Sequence, residues 1–138
     1  MRAKISVGLT LAVGMISTGA MGQSVERLET LGGTGSIARD INDAGQIVGE
    51  STTVGNAVSR ATIWNGGVAS DLGGLGPTDN SVAWAINNNG DAVGWNEDSG
   101  GLRTSTRFSG GNVLDIGAAM GATGSNVAWD INDAGMIA

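Results

Sequence analysis

Side-chain oxygens gather in one six-residue run, Asp40-Ile41-Asn42-Asp43-Ala44-Gly45, which recurs unchanged as Asp130-Ile131-Asn132-Asp133-Ala134-Gly135. Oxygen donors close to a glycine suggest a calcium loop. The helix–loop–helix type takes donors at its first, third and fifth places, a Gly at the sixth and a bidentate Glu to close the shell. Asp40, Asn42 and Gly45 fit, but Ala44 fills the fifth place and no Glu follows where the closing ligand belongs. The same residues also make a tight hairpin turn, with Asn42 bonding to nearby backbone. The turn explains the run better, and no metal or other cofactor is expected.

Other chemistries fare no better. Asp43, Asp71, Asp91 and Asp115 could supply the carboxylate pair of a glycosidase, yet most sit at turn positions, and no aspartate box of the sialidase type occurs. The chain has no His and no Cys, which removes imidazole and thiolate metal sites, Ser–His–Asp triads and Cys nucleophiles. Leu31-Gly32-Gly33-Thr34-Gly35-Ser36 lacks the Lys of a phosphate loop and the surrounding βαβ unit, so it reads as a glycine-rich link. Trp64, Trp84, Trp95, Trp129 and Phe108 could stack sugars, but aromatics at matching positions more often fill a core between units. Trp95 stands apart, because Glu50 holds the corresponding place; it is the candidate contact residue. No catalytic, cofactor-binding or metal residue is assigned.

The elements that must position these residues follow from a period. Asn42, Asn87 and Asn132 are spaced by 45 residues, and Ala38, Ala83 and Ala128 keep the same step. A fixed period of this size marks a repeat architecture. In residues 81–87, Val82, Trp84 and Ile86 alternate with Ala83 and Ala85, which predicts a strand. Residues 88–90 turn it, 91–97 return, 103–109 form a third strand and 112–116 a fourth. Residues 36–42, 46–52, 60–65 and 68–72 copy the plan. Residues 25–31 are predicted to be a lone fourth strand, and 126–138 a first strand with the start of a second. The fold class is therefore all-β, with four-stranded antiparallel repeats resembling β-propeller blades over 36–72 and 81–116. An open β-solenoid is the alternative, although its parallel strands suit hairpin turns less well. Gly45 and Gly90 are expected at positive φ, and Gly101, placed in a long loop, is not.

Residues 1–22 combine Arg2 and Lys4, an apolar stretch and small residues before a cleavage-like Ala20-Met21-Gly22. This is the pattern of a secretory signal peptide, and its apolar part of about a dozen residues is short of the roughly 20 that span a bilayer. Its removal takes the net charge from −6 to about −8 and leaves no Lys. That charge excludes nucleic acid and disfavours an anionic membrane surface. Secretion to the exterior is expected, with the periplasm as second choice.

In this order the residues resemble the extracellular HAF repeat family. Ala38, Ile41-Asn42, Gly45 and Val48-Gly49 follow its first segment, and Ala83, Ile86-Asn87, Gly90 and Val93-Gly94 repeat it. Asp71-Leu72-Gly73-Gly74-Leu75-Gly76 follows its closing segment, and Asp115-Ile116-Gly117 more loosely. Arg60-Ala61-Thr62-Ile63-Trp64 departs from it, standing where the family carries His-Ala-Phe. The resemblance covers most of residues 28–138 and implies export and repeat architecture more than activity.

The expected function is that of a secreted, non-catalytic β-repeat protein with a surface-binding or structural role; a piece of a secreted carbohydrate-active propeller enzyme is the alternative. The expected ligand is a glycan or another cell-surface component. Two full repeats with partial ones are fewer than a propeller's typical four to eight, or roughly 180 to 360 residues, so the sequence reads as a truncated array with open strand edges. Self-association follows, and a compact, cooperatively melting monomer of residues 23–138 in sedimentation would refute this reading.

Overall fold

The computed structural model describes residues 25–138. Residues 1–22, where a signal peptide is expected, lie outside the described residues. Two four-stranded antiparallel sheets follow each other along the chain. The first contains β1 (Gly32–Ile41), β2 (Ile47–Thr53), β3 (Ser59–Asn65) and β4 (Val68–Gly73). The second contains β5 (Asn80–Ile86), β6 (Ala92–Glu97), β7 (Arg103–Ser109) and β8 (Asn112–Asp115). In each sheet every strand pairs with its sequence neighbour, as short turns between antiparallel strands require. Among the described residues no helix is long and apolar enough to cross a membrane.

The core lies between successive layers. Val48 and Ala61 of the first sheet pack on Ala83, Ile86, Ala92 and Phe108 of the second. Ala85 and Val93, in turn, pack on Ala128 and Ile131 of the segment that follows. The strand β5 is thus sandwiched, which is why its buried residues are mostly small and its alternation is weak.

A bulge disturbs the expected alternation. Ala83 pairs with Gly94 and Ala85 with Val93, leaving Trp84 unpaired; Ala38 and Asp40 likewise skip Arg39. The extra residue breaks the period of two. Trp84 therefore does not share a face with Val82 and Ile86, and Ala83 joins Ile86 in the core instead. The partner strand brings a glycine to each bulge. A Cβ on Gly49 would strike the Ile37 carbonyl oxygen, and one on Gly94 the Val82 carbonyl oxygen. The Val-Gly pairs at 48–49 and 93–94 are the sequence trace of this close approach.

Four expected boundaries change. Residues 25–30 form no strand: they meet the β3–β4 hairpin at its turn, where Glu29 N–H donates to the Gly67 carbonyl at 2.9 Å, and no ladder develops. The glycine-rich run at 32–35 belongs to β1 rather than to a link, because the Cβ position of Gly33 is taken up by Thr52 and Thr53. The strand expected at 112–116 stops at Asp115, whose carboxylate caps a short helix, α1 (Ile116–Ala119), through Ala118 N–H at 2.7 Å. Residues 126–138 make a narrow hairpin with one bridge, Ile131 to Ile137, rather than a strand and a half.

Gly45 and Gly90 adopt φ of +77° and +83° as expected, but Gly101 does too, at +80°. Its amide donates to the Asp98 carbonyl at 3.0 Å, closing the same kind of turn that Gly90 closes on Asn87 at 3.1 Å. Gly90→Val and Gly101→Val are therefore expected to destabilise alike, each by about 1–2 kcal/mol for the left-handed backbone. Gly94→Ala should cost more than either, because it drives a Cβ into backbone. Gly35→Ala, with open space around it, should cost at most about 1 kcal/mol. Thermal melts of the four variants check this order.

Candidate functional site

The three short turns at 42–45, 87–90 and 132–135 lie side by side. Within each, the Asn holds its own turn: Asn42 Oδ1 accepts Gln46 N–H at 3.0 Å, Asn87 Oδ1 accepts Asp91 N–H at 2.9 Å, and Asn132 Oδ1 accepts Met136 N–H at 2.9 Å. The amide end then reaches the next turn. Asn42 Nδ2 donates to the Asn87 carbonyl and Asn87 Nδ2 to the Asn132 carbonyl, both at 3.1 Å. A second row runs beside the first. Asp43 N–H donates to Asn88 Oδ1 at 2.9 Å, and Asn88 N–H to Asp133 Oδ1 at 2.8 Å. Asn88 Nδ2 bridges Asp43 and Asp133 at 2.8 and 3.2 Å, placing a neutral amide between two carboxylates that would otherwise repel.

The Asp40 and Asn42 oxygens of the candidate metal loop bond to backbone. Asp40 Oδ1 accepts Ile41 N–H at 2.8 Å and Asp40 Oδ2 accepts Ile86 N–H at 2.9 Å, so both oxygens serve backbone. Among the described residues no group of three or more metal-binding side chains gathers. The other candidate carboxylates are similarly engaged: Asp71 with Gly73 N–H at 2.6 Å, and Asp115 with Ala118 N–H and the Thr104 hydroxyl. Asp91 accepts from the Ser109 hydroxyl and pairs with Arg107 at 2.7 Å. The Ser109 hydroxyl, and then Arg107, hold its carboxyl below the ordinary 3.8 against the opposing effect of partial burial.

A third row joins residues 39, 84 and 129. The Arg39 guanidinium sits 4.1 Å from the Trp84 ring centre, and Trp84 lies 5.0 Å from Trp129 at an interplanar angle of 54°. Arg39 also pairs with Glu50 at 2.5 Å. Trp129 is 60% exposed and closes the row as its open surface. Arg39 was legible as a partner, because it stands one period before Trp84 and two before Trp129; only its charge disguised it among aromatics. The remaining aromatics divide. Trp64 and Phe108 are core, Trp64 donating its Nε1 to the Glu29 carbonyl at 2.7 Å. Trp95 is half-buried under Arg103, 4.4 Å from its ring centre, and Arg103 pairs with Glu97 at 2.7 Å.

In comparisons with known proteins, no family model matches this chain, and no curated protein and no solved structure matches it.

Two outcomes follow from these contacts. Asn87→Ala removes three hydrogen bonds at a buried position and should cost about 2–3 kcal/mol, whereas Asn132→Ala, at an exposed one, should cost less than about 1 kcal/mol; denaturant titration compares them. Asp91 stabilises the fold fully above its unfolded pKa, and that contribution fades as pH falls through the lower folded value. Asp91→Asn should therefore melt below the parent at about pH 6, by about 0.5–1 kcal/mol for contacts this exposed, and converge with it near about pH 2.

Proposed function

We propose that this chain is an exported, non-catalytic β-repeat protein, acting through surface binding or as a structural array. Residues 1–22 serve as its secretory signal, and the sheets at 32–73 and 80–115 are propeller-type blades of the kind that the extracellular HAF repeats suggest. The observation that carries this reading is the row of turns, in which equivalent Asn side chains 45 residues apart bond one turn to the next. A chain that spends its turn chemistry on lateral contacts is built to stack units. The candidate carboxylates support the non-catalytic part, since each is occupied by a hydrogen bond that holds a turn, a cap or a sheet contact. The ligand class proposed is a glycan or another cell-surface component, with partly exposed Trp95 as its contact residue, and copies of the chain self-associate.

Screening against insoluble β-linked glycans tests this. Binding without turnover is expected, weakened about tenfold in Trp95→Ala, the scale of one lost stacking contact. Hydrolysis abolished by replacing Asp43, Asp71, Asp91 or Asp115 would overturn the non-catalytic reading.

A further inference from the structure

The three equivalent inner strands are not equally covered. Ala83 and Ile86 are 0% and 6% exposed under the first sheet, and Ala128 and Ile131 are 2% and 5% exposed under the second. Their counterparts in β1 have no such cover among the described residues: Ala38 is exposed, and Ile41 is 60% exposed. The same apolar pair, on the same turn, is core twice and surface once. The head of the array thus presents the face that the second sheet presents to the first.

The opposite end presents the complement. Asn132 Nδ2 has no hydrogen-bond partner among the described residues, although the equivalent amide of Asn42 and of Asn87 donates to the neighbouring turn's carbonyl. The Trp129 ring is exposed, whereas the two preceding residues of its row contact the next one along. Asp130, Asn132 and Ala138 line a shallow concavity there. Ala138 stands at the position of Val48 and Val93, the residues on which the inner strands of the next layers pack.

We infer that the exposed Ala38–Ile41 face docks head-to-tail on the Trp129–Ala138 end of a second copy of this chain. The inference rests on the stacked-unit reading above and specifies its mode of self-association. In the contact, Asn132 Nδ2 donates to the Asn42 carbonyl of the second copy, Trp129 stacks against its Arg39, and Ala138 covers its Ala38 and Ile41. Each bond continues a row already running through the chain. The interface is heterologous, so each copy keeps one free head and one free tail, and growth closes into a ring or continues as a filament. One row resists. Asp43 and Asp133 carry carboxylates where the intervening position has Asn88, so the contact places two negative charges side by side. Association is therefore expected to strengthen with added salt, which screens that pair.

The chain has no Cys, which makes cross-linking specific. Two variants of the full chain, Ala38→Cys and Ala138→Cys, are mixed and oxidised, since these positions lie on opposite ends of one molecule. A disulfide dimer in the mixture, absent from either variant alone, is the expected result. Asp43→Asn is expected to raise its yield about tenfold at low salt: the amide oxygen still accepts from Asn88, and the new N–H faces the partner's Asp133. Ile41→Lys is expected to lower the yield at least about tenfold without moving the monomer's melting temperature. Cross-linking of Ala38→Cys with itself would mean a two-fold contact and overturn the head-to-tail mode. So would association, seen by sedimentation, without the mixed disulfide, although self-association itself would then survive. A monomer at all concentrations, with or without residues 1–22, would overturn both, leaving glycan binding to be judged separately.

Discussion

The structure depends on one small contact, the bond from an Asn amide to the carbonyl of the neighbouring turn. A buried turn exposes carbonyls that must find donors, and an unpaired one costs about as much as a lost hydrogen bond. Asn42 and Asn87 solve two such problems at once. The oxygen of each closes its own hairpin, and the nitrogen satisfies the next. Asp in the same place has no donor to send across, and Ser is too short to do both. This is why an amide, rather than any polar residue, sits at 42 and 87.

Close stacking then demands small side chains. Layers in contact through Ala61, Ala83, Ala85, Ala92 and Ala128 leave room for few large ones. The bulges at Arg39 and Trp84 remove the bulky residue of each inner strand from the pleat, and Gly49 and Gly94 let the second strand follow the displaced backbone. The displaced residues meet in their own row outside the core, where a cation and two indole rings attract one another. An aromatic that alternation assigns to the core is thereby left half-buried between Arg39 and Trp129.

Charge is spent in the same local way. Carboxylates stand at turns and strand ends, where they accept backbone N–H groups or pair with an Arg on the next strand. Buried Arg60 gives its guanidinium to the carbonyls of Gly76 and Pro77, pinning the link between the two sheets. The acidic side chains thus carry many small structural duties.

The sequence by itself determined the strands and their turns. Hydrophobic alternation, Asn-x-Gly turns and the recurring Val-Gly pairs are local signals, and local backbone preferences suffice to read them. It also placed Asn42, Asn87 and Asn132 in register, because a constant step needs no knowledge of contacts. What only the tertiary structure decided was direction and partnership. A bulge costs one residue and reverses the faces beyond it, so Trp84 left the core because Ala83 and Ala85 pair with Gly94 and Val93 on either side of it, which spacing alone does not reveal. Residues 25–31 read as a strand only by alignment with the later repeats, but 25–30 reach no more than a hairpin tip, and a strand without an edge to pair with does not form. The short helix after Asp115 depended on a side chain turning to cap it. Asn88, outwardly one more turn residue, became the bridge between Asp43 and Asp133 because three turns were brought within hydrogen-bond reach, and that proximity belongs to packing.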